Sequence, residues 1–213
     1  MRCVCGALSK AGDRRRAVKN IKNENVKSII IVGVGGQGTL LASRILGYAV
    51  MKQGYDVKVS EVHGMSQRGG SVITYVRYGE RVHSPVIDAG EADLILAFEQ
   101  LETARYLPFL KTGGGIVTNT QMIDPMPVIT GAMPYPSDLL EAIEARNVKV
   151  KAVHALSLAK QAGTVRAVNV VLIGAMARQT DIPREVWLDA LESCVPQRFI
   201  EINKAAFELG FKQ

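Results

Sequence analysis

At 213 residues, with 47% hydrophobic and 22% charged side chains, the chain has the length and composition of one α/β domain, alone or with a small appendage. Aromatic residues make up 6% and Trp187 is the single tryptophan, which argues against stacking platforms for single-stranded nucleic acid. The net charge of +6 belongs to the first 27 residues, where eight Lys and Arg face Asp13 and Glu24; the remainder is balanced.

Residues 1–25 lack apolar periodicity and read as a basic, disordered leader or an overlong start, ahead of a domain spanning 26–213. A nucleic-acid arm and an organellar transit peptide are the alternatives. The arginines at 14–16 suit a transit peptide; the acidic residues and the missing amphipathic face do not. No apolar run reaches the roughly 18 residues that span a membrane, and no signal-peptide core is visible, so a cytoplasmic protein without membrane contact is expected. Cys3 and Cys5 lie in the head and Cys194 stands alone. The domain therefore lacks the roughly four thiolates of an iron–sulfur cluster and the ligand set of a structural zinc. Cys194 reads as a small buried hydrophobe.

Along the chain, residues 26–32 are β-branched and continuous, as a strand buried on both faces should be. Leu41, Ile45, Tyr48 and Ala49 give residues 38–53 a helical period, and Gly54 follows as C-cap. With a second strand at 56–62, this unit reads as a right-handed parallel crossover. Residues 71–78 alternate as a strand, and Gly79 and Glu80 turn it back toward 81–83. A buried strand at 94–98 precedes a helix ending near Leu107, before Pro108. Glycines 113–115 turn the chain into a strand at 116–119. Four prolines make 124–136 a loop, after which Ser137 caps a helix with Asp138 and Glu141 at its start. A last strand at 148–153 is followed by helices at 155–162, 168–179, 183–193 and 197–210. Strands alternating with helices, then a helical tail, predict a doubly wound, mostly parallel, Rossmann-like α/β sheet with a C-terminal helical cluster.

Gly33, Gly35 and Gly38 complete G-x-G-x-x-G between a strand and a helix, with Gly36 and Gln37 inside the loop. Such glycines allow a tight turn and let an anionic group approach the amides of a helix N-terminus; they also serve plain strand–helix packing. A dinucleotide site needs an acid about 20 residues on to hold a ribose. The candidate, Glu61, is 28 positions after Gly33 and runs straight into "VHGMSQRGGSV". That stretch sets His63, Ser66, Gln67 and Arg68 among Gly64, Gly69 and Gly70 at the edge of the sheet where α/β ligands sit. The two glycine loops, read as lying on neighbouring strands, make an anion site, against the plainer reading of a hydrogen-bonded His63 and a solvated Arg68.

"VGVGGQGTLLASRILG", "YDVKVSEVHGMSQRGGSV", "EADLILAFEQLETARYLPFLKTGG", "VTNTQ", "NVVLIGAMA" and "EINKAAFELGF" follow in that order. Together they resemble the gamma-type subunit or domain of the 2-oxoacid:ferredoxin oxidoreductases, and within that family the branch acting on indolepyruvate. The resemblance runs from about Val26 to the C-terminus; Thr164 stands where the pattern has Asn. It implies a complex that oxidatively decarboxylates indolepyruvate and other arylpyruvates, forms the aryl-acetyl-CoA and reduces ferredoxin. It also implies that thiamine diphosphate, magnesium and [4Fe-4S] clusters sit on a larger alpha-type partner subunit, with CoA as co-substrate and no redox centre on this chain. On that basis Gly33, Gly35, Gly36, Gln37, Gly38, Ser66, Gln67 and Arg68 are candidates for the CoA cleft or a subunit interface. His63, Gly64, Gly69, Gly70 and Glu99 are candidates for the interface, with Glu99 reading equally as a helix N-terminal acid. No catalytic or metal-ligating residue is assigned. A gamma subunit acting on pyruvate or another 2-oxoacid, a stand-alone NAD(P)-binding enzyme and a nucleic-acid module working through the basic head remain as alternatives.

Overall fold

The structure, a computed structural model, describes residues 26–63 and 70–213, with His63 seen by its backbone alone. Strand β1 (Lys27–Val34) is buried on both faces at residues 29–32, as a continuous β-branched run requires. It passes through the glycine loop into α1 (Thr39–Lys52), and Gly54 closes that helix in the left-handed region at φ 82°. Strands β2 (Asp56–His63) and β3 (Ser71–Gly79) form an antiparallel hairpin, in register from Asp56 opposite Gly79 to His63 opposite Val72. Then come β4 (Ala92–Ala97), α2 (Gln100–Tyr106), β5 (Leu110–Asn119), α3 (Met126–Ile129), α4 (Leu139–Glu144) and β6 (Lys149–Val153). The C-terminal helices are α5 (Ala155–Gln161), α6 (Val168–Ala177), α7 (Arg184–Cys194) and α8 (Ile200–Phe211).

The sheet order is β2-β3-β1-β4-β5-β6, with β1, β4, β5 and β6 parallel and β3 antiparallel to both of its neighbours. This corrects one expectation. β2 runs in the same direction as β1, but the crossover steps over β3, so β1 and β2 are not neighbours; the glycine stretch at 63–70 opens instead onto β3, which pairs with β1 from Lys27 to Val34. Side-chain pattern explains the order: Val72, Ile73, Thr74 and Val76 of β3 are buried on both faces, as an interior strand needs. β2 carries Asp56, Lys58 and Glu61, which an edge tolerates.

Smaller corrections have local causes. Residues 81–83 form no strand; the Asp56 carboxylate instead accepts the Val82 amide at 2.9 Å. Glycines 113–115 do not turn but continue β5 through a register shift opposite Ala92 and Leu94, where glycine accommodates a bulge. One helical turn, α3, forms inside the proline-rich stretch. The N-cap of α4 is Asp138, and the Ser137 hydroxyl bonds the Asp138 carboxylate rather than the helix.

Both sheet faces are covered. One face packs on α1 and on α5 to α8, around Leu46, Leu96, Leu172, Trp187 and Phe207. The other packs on α2 and α4, around Ile30, Ile95, Ile116 and Ile143. Helix α6 is buried from Val170 to Ala177, as an all-apolar helix must be. Its Gly174 meets α8 backbone to backbone: a Cβ there would lie 2.1 Å from the Phe207 carbonyl oxygen, and one on Gly210 would lie 1.9 Å from that of Val171. The two sheet edges differ. β6 sets Lys149 and Lys151 along its short edge, whereas β2 leaves Val59 and Val62 about half exposed, at 46% and 52%. Among the described residues no helix is long and apolar enough to cross a membrane.

Candidate functional site

The parallel strands end along one edge, where the loops after β1, β4, β5 and β6 meet, and in open α/β sheets that edge is where ligands sit. The glycine loop lies at its centre. Gly36 and Gly38 adopt φ 101° and 89°, conformations that side chains with a Cβ rarely take. Gly38 is the N-cap of α1, with no side-chain cap and no acid in the first turn. A Cβ on Gly38 would come within 2.5 Å of Asn169 Nδ2, so this glycine also brings α1 against the start of α6.

Gln37 does something the sequence did not announce. Its Oε1 accepts the Val34 amide at 2.7 Å and its Nε2 donates to the Phe98 carbonyl at 3.1 Å, joining the ends of β1 and β4. Asn119 Nδ2 donates to the same carbonyl and to Gln121 Oε1, both at 3.3 Å, and Gln37 Nε2 reaches that same Gln121 oxygen at 3.5 Å. The folded-back Gln37 carboxamide lies 2.8 Å from where a Cβ on Gly33 would stand. It therefore occupies the space over the first glycine and stitches the loop shut. Glu61, the ribose candidate, lies within β2, two ladder steps from β1 and about 10 Å away at the usual strand spacing. Neither placement matches a dinucleotide site.

Glu99 is 1% exposed and caps α2. Its carboxylate accepts the Glu102 amide at 3.0 Å, the Ile123 amide at 3.1 Å and the Tyr135 hydroxyl, while the Tyr135 oxygen accepts the Leu101 amide at 3.1 Å. Burial, then the bond to Glu99, pushes the Tyr135 phenol well above its ordinary pKa. The carboxylate is thus fully engaged within the chain, tying the 121–136 segment to α2. That segment presents Met122, Met126, Ile129 and Met133, each more than half exposed. Glu102, also buried, accepts the Ser71 hydroxyl at 2.5 Å and pairs with Arg105 at 3.2 Å, pinning the start of β3. The Gly35 amide donates to Gly70 O at 2.9 Å, linking the glycine loop to the same point. Gly64, Ser66, Gln67, Arg68 and Gly69 lie outside the described residues, as does the side chain of His63.

Two open depressions flank the glycine loop. One, of about 500 Å³, is lined by Gly35, Gly36, Gly38, Thr39, Leu40, Glu61 and Val72. On the other side, a depression of about 370 Å³ touches Gln37, Gly38, Gln121, Leu156, Val165, Arg166 and Asn169. It shares Gln121 and Leu156 with a further one of about 520 Å³ that adds Thr120, His154 and Lys160. His154 Nδ1 lies 3.0 Å from the Thr120 hydroxyl. Thr164 does what an Asn there would do: its side chain accepts the Arg166 amide and caps the turn ahead of α6. Sequence reasoning assigned no role to Gln121, although it ends the VTNTQ motif, and missed His154, Lys160 and Arg166, which form no motif. The available signal was charge, since residues 145–180 hold six Lys and Arg and no Asp or Glu.

At the opposite edge, a depression of about 400 Å³ is lined by Tyr78, Asp93 and Lys111. There Asp93 accepts the Ser28 amide at 2.7 Å and pairs with Lys111, and burial pushes the Tyr78 phenol up to about 12. Cys194 is half-buried against the core, with its thiol pKa raised by burial. Among the described residues no three His, Cys, Asp or Glu side chains cluster as a metal site.

The family model of pyruvate ferredoxin/flavodoxin oxidoreductase matches residues 28–213. The chain is 46% identical over 192 residues to the indolepyruvate oxidoreductase subunit IorB of Pyrococcus horikoshii, covering 87% of this chain and 94% of that protein. A crystal structure of a keto/oxoacid ferredoxin oxidoreductase gamma subunit from Geobacter sulfurreducens superposes with a TM-score of 0.66 at 27% identity, over 87% of this chain and 96% of that one. The 2-oxoglutarate:ferredoxin oxidoreductase of Magnetococcus marinus, whose structure holds 2-oxoglutarate, coenzyme A and succinyl-CoA, shares the fold with a TM-score of 0.69 at 18% identity, over 88% of this chain and 31% of that one.

Proposed function

The chain belongs to the pyruvate ferredoxin/flavodoxin oxidoreductase family, and from that premise we propose that it is the small subunit of an indolepyruvate:ferredoxin oxidoreductase. The complex takes indolepyruvate or another arylpyruvate, breaks the bond to its carboxylate, joins the remaining acyl carbon to the sulfur of CoA, and passes the released electron pair to ferredoxin. Thiamine diphosphate with magnesium supplies the carbanion chemistry, and iron–sulfur clusters the electron route, from a larger alpha-type subunit. The assembly works in the cytoplasm. Residues 26–213 act as one domain.

This chain's part is to bind and orient CoA and to keep water from the reacting carbon. Gly35, Gly36 and Gly38 offer backbone amides at the head of α1, Gln37 holds the loop rigid, and Ser66, Gln67 and Arg68 reach in from the β2–β3 connection. His63, Gly64, Gly69 and Gly70 meet the partner there, and Glu99 shapes the neighbouring surface through the segment it anchors. The observation that most supports this reading over a nicotinamide site is Gln37, whose carboxamide fills the space over Gly33.

The test is an anaerobic purification of the tagged chain from its native cells. A larger co-purifying subunit with brown iron–sulfur absorbance, and CoA-dependent turnover of arylpyruvates, is the expected result; the isolated chain is inactive. In that complex Arg68→Ala raises the KM for CoA more than that for arylpyruvate. A colourless chain that comes down alone and binds a nicotinamide cofactor overturns the proposal.

A further inference from the structure

The two flanks of the glycine loop differ in charge. Among the described residues, Glu61 is the ionisable side chain lining the β2 flank, whereas the α5–α6 flank is lined by Arg166, Lys160 and His154 with no carboxylate. The Arg166 and Lys160 side chains make no ion pair or hydrogen bond among the described residues. Elsewhere in the same domain Lys52, Lys58, Arg105, Lys111, Arg184 and Lys204 are each paired with a carboxylate. Arg166 and Lys160 both lie within residues 145–180, which hold no Asp or Glu, so no neighbour in sequence offers either of them a carboxylate.

Arg166 is also placed rather than merely exposed. Thr164 caps its turn, α6 begins two residues later, and Asn169 of that helix abuts Gly38. The same groove exposes Leu156 and Val165 at 45% and 53%. Cations beside apolar side chains suit a ligand with phosphate groups at one end and an uncharged arm at the other.

We infer that Arg166 and Lys160, with His154 beside them, form the subsite for the phosphate groups of CoA on the α5–α6 flank of the glycine loop. This rests on the CoA reading above and fixes which side of the loop the phosphates take. Leu156 and Val165 then carry the uncharged arm toward the loop amides.

The experiment uses the assembled complex, with Arg166→Ala, Lys160→Ala and Arg68→Ala variants and Lys212→Ala as a charge-matched control. Losing one charge-assisted contact to a phosphate corresponds to roughly a tenfold rise in KM for CoA. That rise is expected for Arg166→Ala and Lys160→Ala, with kcat and the oxoacid KM steady, partial rescue by Arg166→Lys, and a smaller effect at high salt. The Arg166→Ala complex should also discriminate less between CoA and dephospho-CoA. Unchanged CoA kinetics in both variants, with a raised KM in Arg68→Ala, overturns the inference while leaving the CoA reading intact. A complex in which none of the three variants alters CoA use overturns both.

Discussion

Glycine at the crossing of α6 and α8 and glycine in the loop after β1 answer opposite demands. At Gly174 and Gly210 the backbone angles are ordinary and space is missing, because the carbonyl of the facing helix stands where a Cβ would go. At Gly36 space is plentiful and the backbone angle is the constraint, with φ 101° and nothing within 4 Å of a notional Cβ. The first kind of glycine builds a dry helical layer that ends at α6. The second builds a polar edge of turns, amides and unpaired cations on which that layer sits. The two regions meet where Gly38 of the loop abuts Asn169 of α6.

Three substitutions probe that difference. Gly210→Ala has the largest expected effect: the new methyl would overlap the Val171 carbonyl, so α6 and α8 must separate, at a cost of about 3 kcal/mol or more. The urea midpoint should fall steeply, and an unchanged midpoint would mean the two helices do not touch in this way. Glu99→Gln comes next. It places an NH2 group among three donors, the amides of Glu102 and Ile123 and the Tyr135 hydroxyl, costing about 1–3 kcal/mol. Hydrogen exchange should quicken across residues 121–136 and stay slow in α6; uniform quickening would dissolve the distinction. Gly36→Ala is the mildest, with about 1 kcal/mol of left-handed strain and no clash. Melting should move by a few degrees or less while the KM for CoA rises, and a loss of fold instead would mean that this loop, like the helix crossing, is needed to hold the fold together.

Most elements were legible because their patterns are local. The β-branched run of β1, the period of α1 with Gly54 behind it, and the apolar stretch of α6 each needed only neighbours in sequence. Strand order was not, because the placement of β3 between β1 and β2 depends on which strand can be buried on both faces, a competition no single segment reveals. Glycines 113–115 carried the right chemistry and the wrong inference, since a bulge and a turn draw on the same residues. At the site, the glycine loop and the 63–70 stretch stood out as motifs. The role of Gln37 did not, because a glutamine that reaches a ligand and one that reaches back to Val34 and Phe98 look alike in sequence. Arg166 and Lys160 were invisible for a different reason: a lysine with a carboxylate partner and one without read the same until the fold shows what surrounds them.

The open edge at β2 bears on how such a chain has to be produced. A strand with open hydrogen-bonding groups and half-exposed Val59 and Val62 is a template for another strand, blunted by the charges of Asp56, Lys58 and Glu61 along its length. Copies made in excess of whatever covers that edge will add to one another. Recombinant yield is then governed by stoichiometry: co-expression with the larger subunit should give soluble material, and overproduction of the orphan chain should give inclusion bodies.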